Sequence, residues 1–158
     1  MNLNNKVVVV TGAGNGLERQ LTLQLLAKGA RIAAVDINAN ALNDTNNLAG
    51  VPSDNLSLHS TDISQRDAVA QLAKDVLDHH GCAHAIINNV GVIHAFKTVN
   101  ELDYSVLERM TDINLYGTIN LTKTFLPIFI TETRGAYRQC VQHGRPIRVS
   151  LSNVLRCQ

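Results

Sequence analysis

The sequence has no tryptophan, three prolines, three cysteines and only 4% aromatic residues in 158. Cys82, Cys140 and Cys157 give no even set of pairs. That excludes a disulfide-stapled scaffold and fits reduced thiols in a cytoplasmic protein. No cysteine and histidine share metal-ligand spacing, so no zinc or other metal site is expected. No apolar run approaches the roughly 18 residues of a membrane span. The opening Met1-Asn-Leu-Asn-Asn-Lys6 lacks the charged and apolar regions of a signal peptide. With 45% apolar and 17% charged residues, disorder is excluded as well, and the length suits one domain with a sizeable core.

Acidic residues are missing from one stretch altogether. All thirteen lie at or before Glu132, whereas residues 133–158 hold five arginines and neither Lys, Asp nor Glu. The 132 residues before this tail carry nine basic and thirteen acidic side chains. A basic tail can bind nucleic acid or an acidic lipid surface. Here it lacks interleaved aromatics and any known reading module, so neither partner is expected. The composition instead divides the chain into a folded unit, residues 1–132, and an aberrant basic tail, residues 133–158.

What is present is alternation. Lys6–Thr11 is β-branched and apolar on both faces, as a buried parallel strand is. Asn15–Lys28 repeats Leu17, Leu21, Leu25 and Leu26 at helical spacing. Arg31–Asp36 is a second buried strand, and a second helix opens at Asn38 and runs to about Leu48. Leu56–His59 is a short third strand. Ser64 and Asp67 form a capping-box-like pair that predicts a third helix starting at Ser64 and ending before Gly81. His84–Asn88 is the fourth strand. A long helical pattern covers about 103–130, and Pro127 is expected to end or bend it. The order β-α-β-α-β-α-β-α predicts an α/β fold, the N-terminal part of a Rossmann-type, doubly wound parallel sheet.

The chemistry sits where the first strand meets its helix. Thr11-Gly-Ala-Gly-Asn-Gly-Leu17 delivers the chain into a glycine-rich turn at a helix start. Unpaired N–H groups and the helix dipole attract phosphate there. Gly12 permits the turn, and Gly16 lets the backbone approach a ligand. Asp36, twenty residues beyond Gly16, ends the second strand. A carboxylate there accepts hydrogen bonds from ribose hydroxyls and repels a 2′-phosphate, which points to NAD rather than NADP as the cofactor.

These residues resemble the short-chain dehydrogenase/reductase family. Thr11 to Leu17, including Gly12, Asn15 and Gly16, resembles its Thr-Gly-x-x-x-Gly-x-Gly motif. Asp62-Ile63 is similar to the pair that lies along the adenine. Asn88-Asn89-Val90-Gly91 is similar to the family's Asn-Asn-Ala-Gly. Asn114, within Asp112-Ile-Asn-Leu-Tyr-Gly117, matches the catalytic asparagine that holds a proton-relay water. The resemblance implies NAD-dependent hydride transfer between an alcohol and a ketone, and a homo-oligomer formed through the helix around Asn114.

Three departures qualify it. The motif's third glycine is Glu18 here, which must swing outward or push the helix away. Its charge competes with the pyrophosphate for the helix N-terminus, weakening the cofactor by about 1–3 kcal/mol. Val90 replaces an alanine and overpacks mildly. Lastly, the family's Ser and Tyr-x-x-x-Lys have no counterpart: the residues four beyond Tyr104, Tyr116 and Tyr137 are Glu108, Asn120 and Val141. The expected product is a catalytically impaired chain, truncated before that motif, with a non-catalytic dinucleotide-binding or interaction fragment as the alternative.

The tail has a reading in another frame. Codons compatible with Ala136 to Arg145, read one nucleotide later, encode His-Ile-Val-Asn-Val-Ser-Ser-Met-Gly-Gly, a strand followed by the catalytic Ser at Val141 or Gln142. The same shift, with suitable codons, can turn Val154 into Tyr and Gln158 into Lys, four residues apart. A frameshift near residue 135 is therefore expected. DNA sequencing of the locus checks it: the shifted frame should encode this strand and the Tyr-x-x-x-Lys motif, and a frame that encodes neither refutes it.

Overall fold

A computed structural model describes residues 3–95, 97–131 and 138–139. Five parallel strands form one sheet in the order β3-β2-β1-β4-β5. They are β1 (Val7–Thr11), β2 (Arg31–Asp36), β3 (Leu56–Ser60), β4 (Ala85–Asn88) and β5 (Arg138–Gln139). The helices are α1 (Gly16–Ala27), α2 (Ala39–Ala49), α3 (Arg66–His80), α4 (Tyr104–Thr111) and α5 (Thr118–Thr131). A π-helical segment, Asp112–Gly117, joins the last two.

Successive side chains of a strand point to opposite faces, and β1 shows what that requires here. Val7 and Val9 enter one core with Val69, Leu72 and Val76 of α3 and Leu121, Phe125 and Phe129 of α5. Val8 and Val10 enter the other, with Leu25 and Leu26 of α1 and Leu42 of α2. The register Val8↔Ile32 and Val9↔Ala33 keeps β2 in phase, so Ile32 joins the second core and Ala33 the first. All four valines are at most 2% exposed. Burial of each contributes about 1.5–3 kcal/mol.

The chain crosses from one flank of β1 to the other between β3 and β4, so β1 and β4 are neighbours at the switch point. Open α/β sheets bind ligands in the crevice beyond the carboxyl ends of such strands. Thr11 holds those two ends together. Its hydroxyl lies 3.2 Å from Asn88 Oδ1 and 3.3 Å from the Ile87 carbonyl oxygen, and it accepts the Asn89 N–H at 3.3 Å.

Three local expectations change. The third helix begins at Arg66, with no side-chain bond at its Gln65 cap. Ser64 instead gives both its N–H and its hydroxyl to Asp62 Oδ1, at 2.9 and 2.7 Å, because a carboxylate two residues upstream is the stronger acceptor. The long helix is interrupted by the π segment, yet it passes Pro127 and reaches Thr131. Proline removes one donor, but Phe125 and Phe129, both 0% exposed and stacked 6.1 Å apart, anchor the turns on either side of it. Finally, the sheet continues past residue 132, since β5 pairs Arg138 with Ile87 and Gln139 with Asn88. A two-residue strand built from tail residues thus lies beside β4. The remainder of the frameshift expectation falls outside the described residues.

Three histidines gather at the open edge formed by β3 and the end of α3. The Ser57 hydroxyl lies 2.7 Å from His59 Nε2 and 2.8 Å from His80 Nε2. Burial holds the His80 pKa down at about 4, with His79, Arg31 and His59 adding repulsion. Burial lowers His59 too, against the attraction of Asp75. The unfolded chain takes up these protons near pH 6.5, whereas folded His80 does so only near 4. Stability is therefore full above pH 6.5 and falls as pH drops toward 4. Thermal melts should show Tm several degrees lower at pH 4.5 than at pH 7.5, with the difference reduced in His80→Gln.

Candidate nucleotide site

A cavity of about 230 Å³ opens at the carboxyl ends of β1, β2 and β4. Of the residues singled out from sequence, Gly12, Asp36, Asp62, Ile63, Asn89, Val90 and Gly91 line it. Asn15, Gly16 and Leu17 stand outside its lining. Asn15 caps α1, its Oδ1 accepting the Gly16 N–H at 2.8 Å, and Leu17 is 71% exposed.

Asp36 is oriented by backbone donors. Its Oδ2 accepts the Gly14 N–H and its Oδ1 the Asn38 N–H, both at 3.0 Å. The carboxylate thus ties the glycine loop to the start of α2 and keeps lone pairs for a ligand. A side chain on Gly14 would begin 2.7 Å from Asp36 Oδ2, so only glycine allows this approach. Arg19 braces the loop from behind, bonding the Gly14 carbonyl, the Ala41 carbonyl at 3.3 Å and the Thr45 hydroxyl at 3.0 Å.

Asp62 and Ile63 are set by the helix above them. Asn120 Nδ2 donates to the carbonyls of Ile63 and Ser64 at 3.1 and 3.2 Å. Gly117 brings the π segment so close that an added Cβ would lie 2.8 Å from Ile63 Cδ1. Asn114 does not line the cavity. Its amide pairs with one backbone residue of the opposite loop: Nδ2 donates to the Val92 carbonyl at 2.9 Å, and Oδ1 accepts the Val92 N–H at 2.8 Å. Val92 does line the cavity, so Asn114 shapes one wall indirectly.

Glu18 departs from both expected placements. It is half-buried rather than turned out to solvent, and it reaches across the glycine loop, where its carboxylate accepts a hydrogen bond from Asn89 Nδ2. It lines the cavity together with Gly12. Val90 packs beside it, its Cγ2 3.4 Å from where a Gly12 Cβ would stand. Sequence reasoning missed Val35, Ile37, Thr61, Val92, Arg109 and Ile113 as lining residues. For Arg109 and Ile113 a signal existed: they lie four apart, on one helical face leading into the Asn114 segment. Among the described residues no three histidine, cysteine or acidic side chains are placed so that they could hold a metal ion, and no helix is long and apolar enough to cross a membrane.

This geometry can be set beside known proteins. The family profile described as short chain dehydrogenase matches residues 6–137. The chain belongs to the short-chain dehydrogenase/reductase family. It is 35% identical over 130 residues to SadH of Mycobacterium tuberculosis, covering 82% of this chain and 47% of that one. It is 32% identical over 142 residues to dehydrogenase/reductase SDR family member 7B of Rattus norvegicus, covering 84% and 42%. The chain thus spans less than half the length of these curated relatives. Among solved structures, an NAD+-bound xylitol dehydrogenase aligns with a TM-score of 0.81 at 27% identity, over 88% of this chain and 54% of that one. A family member from Burkholderia phymatum in complex with NAD aligns at 0.82 and 24%, over 88% and 50%, and shares the fold.

The paired bonds from Asn114 generate a stability prediction. Asn114→Ala should cost about 1 kcal/mol in denaturant unfolding and speed amide exchange at Val92, with little change elsewhere in the sheet.

Proposed function

We propose that this chain is the cofactor-binding half of an NAD-dependent oxidoreductase interconverting an alcohol and a ketone, and that the 158 residues as given turn over very little. The observation that carries the reading is Asp36, held by two backbone N–H groups at the rim of the same cavity that Asp62 and Ile63 line. A carboxylate so placed suits the two hydroxyls of an unmodified ribose and repels a 2′-phosphate, which favours NAD over NADP.

Impaired turnover follows from residue types. Asn114 is the one residue of the family's catalytic set with a match here, and no tyrosine is followed four residues later by lysine. General acid/base assistance is worth about 10²–10⁴-fold, so a chain without it should be nearly inactive however well it folds. The alternative reading is a non-catalytic dinucleotide-binding or interaction fragment. A cytoplasmic setting goes with either, as the cysteine pattern suggests. Leu115, Tyr116 and Ile119, all exposed around Asn114, support a homo-oligomer through that helix.

Fluorescence titration with NADH, run beside turnover assays on a panel of secondary alcohols, tests the proposal. The expected outcome is weak, saturable NADH binding with no turnover above background. Asp36→Ala should weaken NADH by about tenfold and narrow its advantage over NADPH. Measurable turnover overturns the impairment, and no NADH binding overturns the cofactor reading.

A further inference from the structure

We propose that the cavity as built takes an adenine nucleoside without its pyrophosphate, because Glu18 stands in the phosphate position as an internal anion. The inference rests on the reading of this cavity as a nucleotide site.

The N-terminus of α1 offers free N–H groups and the positive end of a helix dipole, the usual seat of a pyrophosphate. Gly12 and Gly16, at φ +76° and +58°, shape the loop so that an anion can come close. In this chain that approach is covered. A Cβ on Gly12 would meet Glu18 Cγ at 3.3 Å, and one on Gly16 would meet Glu18 Oε2 at 3.5 Å. The Glu18 side chain therefore lies over both glycines, its stem beside Gly12 and a carboxylate oxygen beside Gly16. It is held there by Asn89, from the far side of the crevice.

No ion pair to Glu18 is formed among the described residues. Among the described residues the one ion pair joins Arg19 to Asp44, at 4.0 Å. Arg19 is committed to Gly14, Ala41 and Thr45. Arg109 lines the cavity, but it forms no ion pair with Glu18. A pyrophosphate entering here would bring its negative charges against an unpaired carboxylate and would also have to displace it.

The nucleoside end is intact by contrast. Asp36 offers oriented acceptors for ribose hydroxyls, and Val35, Ile37 and Ile63 supply apolar walls for a base. Asp62 gives Oδ1 to Ser64 and keeps its other oxygen for an exocyclic amine.

Isothermal titration of the full chain with adenosine, AMP, ADP-ribose and NAD tests the proposal, with circular dichroism to verify folding. Adenosine should bind at least as tightly as NAD. Glu18→Gln keeps the side-chain length and can still accept from Asn89, so it isolates the charge. It should strengthen ADP-ribose and NAD about tenfold and change adenosine less than twofold. Glu18→Gly should strengthen the phosphate-bearing ligands further. The proposal is overturned if the unaltered chain prefers NAD over adenosine by about tenfold or more, or if changes at position 18 shift all four ligands alike. Those results leave the nucleotide site standing. Failure of every ligand to bind any folded variant overturns the nucleotide reading itself, and this inference with it.

Discussion

The structure depends on the burial of β1 from every side. A strand with Val7 to Val10 in sequence has no face it can show to water. It must be flanked by β2 and β4 and covered by helices above and below, and each half of its side chains calls for a separate core. Two cores on one sheet place the crossover beside β1. The crossover in turn places a crevice beyond the strand's carboxyl end, where the glycine loop begins. The site is a result of how one strand is hidden.

Much of this was legible in the sequence because it is local. Consecutive β-branched residues, glycine just past the ends of α1, α2 and α3 and leucines at helical spacing all act over a few residues, and the four main strands came within a residue of their observed limits. Asp36 was legible for the same reason, since the last position of β2 and the first turn of α2 are neighbours along the chain. Family resemblance added Asp62, Ile63 and Asn89, which converge on the cavity only through tertiary packing.

The failures were of the opposite kind. The sequence named Glu18 as an intruder but could not show its direction, which is set by Asn89, 71 residues further on. The expected cap at Ser64 lost to Asp62, a competition between two acceptors that spacing alone does not rank. Pro127 was expected to end or bend the helix because the rule counts the lost hydrogen bond. It does not count two fully buried phenylalanines in the adjoining turns. In each case a contact made in three dimensions outweighed a sound local tendency.

The π segment works as a phase adjuster. Arg109, upstream, lines the cavity, and Ile113, within the segment, lines it while also packing on the core, whereas Leu121, Phe125 and Phe129, downstream, look only into the core. A uniform α-helix advances about 100° per residue, so one residue more or less between these stretches would turn one of them off its target. Housing the extra residue in the wide turn at 112–117 lets a single rod serve two clients at different bearings, with Asn114 at the point where the bearing changes.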